Sequence, residues 1–117
     1  MKFLLMICAD VGLVPDDAFQ QGCEGWTEEM EARGVLLAGG AGLRSPAEAR
    51  TVRVRADEVS ITDGPFAETK ELIGGLTLIE CADIDEAVKI AAQHPSARYG
   101  AIEVRPIYDP SDPNPPW

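Results

Sequence analysis

Phe3-Leu4-Leu5-Met6-Ile7-Cys8-Ala9 is an unbroken apolar run, closed by Asp10. Side chains alternate across a strand, so a strand built from this run carries apolar groups on both of its faces. The fold must therefore cover a central strand from two sides. Only two stretches elsewhere have helical periodicity. In the first, Pro15-Asp16-Asp17 opens a helix, with proline suited to the first turn and acids matched to the helix dipole. Phe19, Cys23, Trp26 and Met30 then recur at four, three and four residues as one apolar face, and Gly34 ends the helix. Gly22 and Gly25 each weaken it by about 1 kcal/mol relative to alanine, so packing has to hold it. In the second, Asp83 caps with Glu86 three residues on, and Ile84, Ala87, Val88 and Ala91 form the expected apolar face up to His94-Pro95.

Strand patterns fill the remainder. Val35 to Leu43 runs into glycines at 39, 40 and 42, which signal a bent strand end or a close approach of backbone or ligand. Thr51–Arg55 and Glu58–Thr62 alternate as a hairpin, with Val52, Val54, Val59 and Ile61 available to one face. Its turn at Ala56-Asp57 lacks the favoured glycine. Leu72 to Cys81 is a further strand. Tyr99 to Arg105 is the last, with Ile102 and Val104 on one side and Glu103 and Arg105 on the other.

The order is β-α-β, a hairpin, then β-α-β. This predicts an α+β chain, ferredoxin-like with an inserted β-hairpin, in which two helices cover one face of one sheet. The other face of the first strand needs a partner, and a second copy of the same sheet is the economical choice, so a homodimer is expected.

A length of 117 residues fits one domain, here residues 1–107, followed by a proline-rich C-terminal tail over 108–117 that ends in Trp117. Twenty acids against ten bases give a net charge of −10, which argues against nucleic acid and anionic membrane as partners. The charge is uneven: Asp16 to Glu31 holds six acids and no base, and Arg44 to Arg55 holds four arginines against Glu48. Cys8, Cys23 and Cys81 lack the spacing of a metal site and read as thiols in a reducing compartment. No metal or cofactor is expected. The apolar start ends too early, and lacks the basic leader, for a signal peptide, so the expected location is cytoplasmic.

Chemistry concentrates in Asp63-Gly64-Pro65-Phe66-Ala67-Glu68-Thr69-Lys70-Glu71. Two accounts fit it. As a turn, Asp63 bonds nearby amides, Gly64 supplies unusual dihedrals, Pro65 fixes the exit and Phe66 plugs the loop into the core. As a site, Asp63 is a general base aided by Glu68, with Lys70 or an arginine holding an anionic substrate. Glu103 and Arg105 either pair with each other or line a cleft that orients a polar ligand. His94 reads as a helix-end cation or, as the one side chain that titrates near neutrality, a proton shuttle. Arg44 and Ser45, beside the glycine-rich strand end, form a candidate anion contact.

The chain resembles the DGPF branch of the YCII-related proteins along most of its length. The likeness is carried by Lys2-Phe3-Leu4-Leu5-Met6, Gly34 through Leu43, Thr51-Val52-Arg53-Val54, the Asp63–Glu71 run, Glu71-Leu72-Ile73-Gly74-Gly75, and His94 through Pro106. The resemblance implies a dimeric α/β barrel, in which two ferredoxin-like units press their sheets together around small-molecule clefts. It also implies an association with extracytoplasmic-function sigma factors, which makes such a factor a candidate partner. YCII-like members carry a His–Asp pair with the histidine in the first helix. Here Pro15 to Arg33 contains none, and a haem ligand is not evident either. The functional expectation is a homodimeric binder of a small polar or anionic molecule. The alternatives are a cofactor-independent acid/base enzyme of isomerase or lyase type, and a regulatory partner of a sigma factor.

Overall fold

The computed structural model describes residues 1–10, 16–65, 71–114 and 116. Six strands and three helices follow one another as β1 (Lys2–Asp10), α1 (Asp17–Ala32), β2 (Leu36–Gly42), β3 (Arg50–Arg55), β4 (Glu58–Asp63), β5 (Glu71–Glu80), α2 (Ile84–Ala92), α3 (Ser96–Tyr99) and β6 (Gly100–Pro106). A short 3-10 helix, Pro46–Glu48, precedes β3. Four strands form one sheet in the order β2-β5-β1-β6, every neighbour antiparallel. β3 and β4 form a separate two-stranded sheet. The architecture is α+β and compatible with the ferredoxin-like plan.

The apolar first run is a central strand, as its composition requires. Phe3 and Leu5 are fully buried and pack with Ile79, Trp26, Met30, Ile90, Ala87 and Ala91 in one core between the sheet and the helices. α1 begins where expected: the Asp16 side chain accepts the Phe19 amide at 2.8 Å. It ends at Gly34, whose φ of +71° only glycine adopts without strain, while the Val35 amide returns to the Met30 carbonyl. α2 is capped by Asp83, which accepts the Glu86 amide, and Glu86 reaches back to the Ala82 amide.

Three expectations change and one is met. On α2 the buried residues are Ala87, Ile90 and Ala91, whereas Ile84 and Val88 face solvent. The expected stripe and the observed one overlap at both alanines, and the helix turns so that the bulkier Ile90 enters the core. The residues after Pro95 form α3 before β6 starts at Gly100, one position later than Tyr99. The glycine-rich end of β2 is bent as expected: it is bulged against β5, and a Cβ on Gly40 would lie 3.1 Å from the Leu76 carbonyl oxygen, so close backbone approach accounts for that glycine.

His94 is the third change. It is buried, with its Nδ1 accepting the Ser96 amide at 3.1 Å and its ring edge-on to Trp26 at 4.9 Å. Burial pushes the imidazole pKa below its ordinary value, so the side chain is neutral rather than a helix-end cation. The consequence for pH has a definite sign. The unfolded chain takes up a proton on this residue near pH 6.5, and the native state resists it. The His94 contribution to stability is thus fully present above about pH 6.5 and is lost as pH falls towards the lowered native pKa. Urea unfolding should show a midpoint that is flat above that pH and declines below it. His94→Asn, which keeps an acceptor near the Nδ1 position, should flatten the decline in that window.

Candidate functional site

Alternation along β1 sends Phe3 and Leu5 into the helical core and therefore sends Leu4 and Met6 to the opposite face. Residues directly opposite on neighbouring strands share a face, so the register builds rows across the whole sheet. One row is Ala38-Leu78-Leu4-Arg105, the next Ala41-Leu76-Met6-Glu103, and beyond the β1–β5 bulge Ile73-Cys8-Ala101. Each row is apolar over β5 and β1. At the β6 edge two of the rows end in charge, where the Arg105 guanidinium lies 3.8 Å from the Glu103 carboxylate. No described helix lies on this face: the buried faces of α1 and α2 share the core on the other side.

The remaining sequence candidates are held locally. Arg44 Nε donates to both carboxylate oxygens of Glu48 at 3.0 Å, and Ser45 Oγ accepts the Ala47 amide to start the 3-10 helix. Asp63 ends β4 opposite Arg50, and their side chains pair at 3.1 Å with the carboxylate 86% exposed. Gly64 follows at φ +95°, its amide donating to the Ala49 carbonyl and its carbonyl accepting the Thr51 hydroxyl. Asp63-Gly64 thus closes the base of the β3–β4 hairpin. Phe66, Glu68, Lys70 and Trp117 lie outside the described residues.

Among the described candidates, Glu103 and Arg105 are the pair in mutual contact. Glu103 and Arg105 share the bare sheet face; Arg44 and Ser45 sit before β3, Asp63 at the hairpin base, and His94 within the core. An open depression of about 590 Å³ lies instead between the C-terminal end of α1 and α2, lined by Arg33, Asp83, Asp85, Glu86, Lys89 and Gln93. Its charges are mixed, and Arg33 is engaged by Gln93 and by the Met30 sulfur. Among the described residues, no cluster of three or more His, Cys, Asp or Glu side chains has a metal-binding arrangement. Nor is any described helix long and apolar enough to cross a membrane. Cys8, Cys23 and Cys81 are all partly buried, and desolvation leads the causes that push the Cys23 and Cys81 pKa values up, so neither of those two is primed as a nucleophile.

The uncharacterized protein R00369 of Rhizobium meliloti (strain 1021) is 46% identical to this chain over 68 residues, which are 55% of each protein; the chain therefore spans about half the length of that curated relative. The YCII-related domain family matches residues 1–111. A match over nearly the whole chain, on a fold whose central strand and antiparallel sheet meet the family expectation, places this protein in the YCII-related family.

Proposed function

We propose that this chain works as a homodimer whose sheets meet across the bare face, enclosing small-molecule clefts edged by Glu103 and Arg105. The reading is that of a ferredoxin-like unit with an inserted hairpin, of the DGPF type, paired as a dimeric α/β barrel. One observation carries it: Leu4, Met6, Leu76 and Leu78 sit side by side at the centre of a sheet face that no described helix covers. Apolar surface at the centre of a sheet gains free energy when it leaves water, at about 25 cal/mol per Å². A second copy presents the same surface by symmetry.

In such a pair the charged ends of the rows lie at the rim. The guanidinium and carboxylate of Arg105 and Glu103, only partly shielded and loosely paired, are free to exchange each other for a small polar or anionic ligand. This is a binding site of two opposite charges beside an apolar wall, the usual composition of a small-molecule cleft. In this reading Asp63, paired with Arg50 at the hairpin base, supports the loop rather than the ligand.

Sedimentation equilibrium tests the pairing. The wild type is expected at twice the chain mass of 12.6 kDa, and Leu78→Arg, which sets a charge in the middle of the apolar rows, at the chain mass itself with its helical circular dichroism retained. A wild type that sediments at 12.6 kDa at all accessible concentrations would remove the proposal. The ligand is sought by thermal shift with small carboxylates and phosphates, where Arg105→Ala should abolish any stabilisation.

A further inference from the structure

The β3–β4 hairpin is amphipathic to an unusual degree. Its register sets Arg50 opposite Asp63, Val52 opposite Ile61 and Val54 opposite Val59 on one face. The other face holds Thr51 with Thr62, Arg53 with Ser60 and Arg55 with Glu58. One side is thus four aliphatic side chains closed by an ion pair, and the other is polar throughout. The turn at Ala56-Asp57 has φ of +50° and +63° at its two residues, the type of two-residue turn that matches strand twist without splaying the ribbon. Yet Val52, Val54, Val59 and Ile61 are each 54–64% exposed.

A lone two-stranded ribbon is marginal in water, so an apolar face of this regularity is built to be covered. Charge selects what covers it. Arg50 to Asp63 contains three arginines against Asp57, Glu58 and Asp63 and nets zero, so the whole charge of −10 resides in the rest of the chain. A basic protein would be drawn to the acidic body rather than to the neutral arm, and an anionic membrane would repel that body. Two copies of a strongly acidic chain meet at least electrostatic cost through their neutral parts. Size then says how. A stable interface needs about 800 Å² from each partner, and four half-exposed aliphatic side chains supply only part of that. The arm therefore acts together with a larger surface.

We infer that the β3–β4 arm of each copy reaches over and packs its Val52, Val54, Val59 and Ile61 face onto the body of the second copy, clasping the pair that the sheets form. The inference rests on the homodimer reading and adds to it a separate element of the interface. The clasp has two arms, one from each subunit, as two-fold symmetry requires.

Two arm variants and one sheet variant separate the possibilities in dilution-series sedimentation. Val54→Lys/Val59→Lys places charge on the arm face, and Val54→Thr/Val59→Thr keeps the β-branched shape while reducing its apolar surface. The lysine pair should raise the dimer dissociation constant by about 30-fold or more and the threonine pair by a smaller factor in the same direction. Circular dichroism should remain that of the wild type. Amide exchange over 52–61 should be slow in the wild-type dimer and speed up on dilution to monomer. A dimeric wild type whose dissociation constant neither pair changes, with arm amides exchanging freely, would overturn the clasp and leave the sheet pairing intact. If Leu78→Arg stayed dimeric while the arm variants became monomeric, the sheet pairing would fall and the arm would stand. A wild type monomeric throughout removes both.

Discussion

Trp26→Ala is expected to lower the unfolding free energy by about 3–5 kcal/mol, a large share of what a domain of this size possesses. Trp26 is 5% exposed and fills the space between α1 and α2. Its indole N–H donates to the Ile90 carbonyl at 3.0 Å, a second hydrogen bond on an oxygen that also accepts the Gln93 amide at 3.2 Å. Its ring meets the buried His94 edge-on. Alanine removes all three together: packed volume, one of the two hydrogen bonds to the Ile90 carbonyl, and the wall of the histidine pocket. Trp26→Phe separates the contributions, because it retains most of the ring and gives up the hydrogen bond, at a cost of about 1–3 kcal/mol. Urea unfolding followed by circular dichroism reads both, as midpoints that fall while the slope stays constant. A loss below about 1 kcal/mol for alanine would mean that the helical layer is not joined through this side chain.

That layer matters to function through its one-sidedness. Among the described residues, the large buried side chains lie between the helices and one face of the sheet. The rows built on Leu4, Met6, Leu76 and Leu78 stand outside that core and are half-buried in a single copy. On the homodimer reading, these apolar groups outside the core are the surface that the second copy covers. The arm repeats the same logic at smaller scale, with its valines and isoleucine arranged in register and then left open.

Most of this was legible in the sequence because it rests on local rules. An apolar run with no polar interruption demands a central strand, and β1 is one. The spacing of Phe19, Cys23, Trp26 and Met30 gave the buried side of α1, and Asp83 with Glu86 gave the start of α2. Periodicity failed where it was degenerate. Ile84-Ala87-Val88-Ala91 and Ala87-Ile90-Ala91 are both coherent stripes, and only contact with Trp26 and the sheet selects the second. The same rotation carries the chain into the core at His94, which no local rule distinguishes from an exposed helix end. The candidate site was legible in part. Pairing of Glu103 with Arg105 follows from their two-residue spacing on one strand, and it is present. The other candidates were chosen one by one for their chemistry. Whether they meet depends on tertiary placement, and Arg44 and Asp63 instead found partners nearby in the sequence or across the ladder.

Gly22→Ala and Gly25→Ala should have opposite signs, although they are the same substitution three residues apart on one helix. Each gains about 0.5–1 kcal/mol from the higher helix propensity of alanine. At Gly25 nothing lies within 4 Å of the new Cβ, so the gain is realised and the protein is stabilised. At Gly22 the Cβ would lie 2.9 Å from Pro95 Cγ and 3.7 Å from Pro95 Cβ. A proline ring has no rotamer by which to withdraw, so α1 or the His94–Ser96 turn has to shift, at about 1–3 kcal/mol. Because the propensity gain is common to both variants, their difference isolates the steric cost. Thermal unfolding should place Gly22→Ala below the wild type and Gly25→Ala above it. Pro95→Ala removes the Cγ, and in that background Gly22→Ala should become stabilising too, a coupling that a double-mutant cycle measures directly. If Gly22→Ala stabilises the wild type as Gly25→Ala does, the approach of α1 to Pro95 is looser than 2.9 Å implies. If the cycle holds, the glycine that weakens α1 as a helix is what lets it seat against the turn carrying His94, and through α3 against the start of β6, the strand on which Glu103 and Arg105 stand.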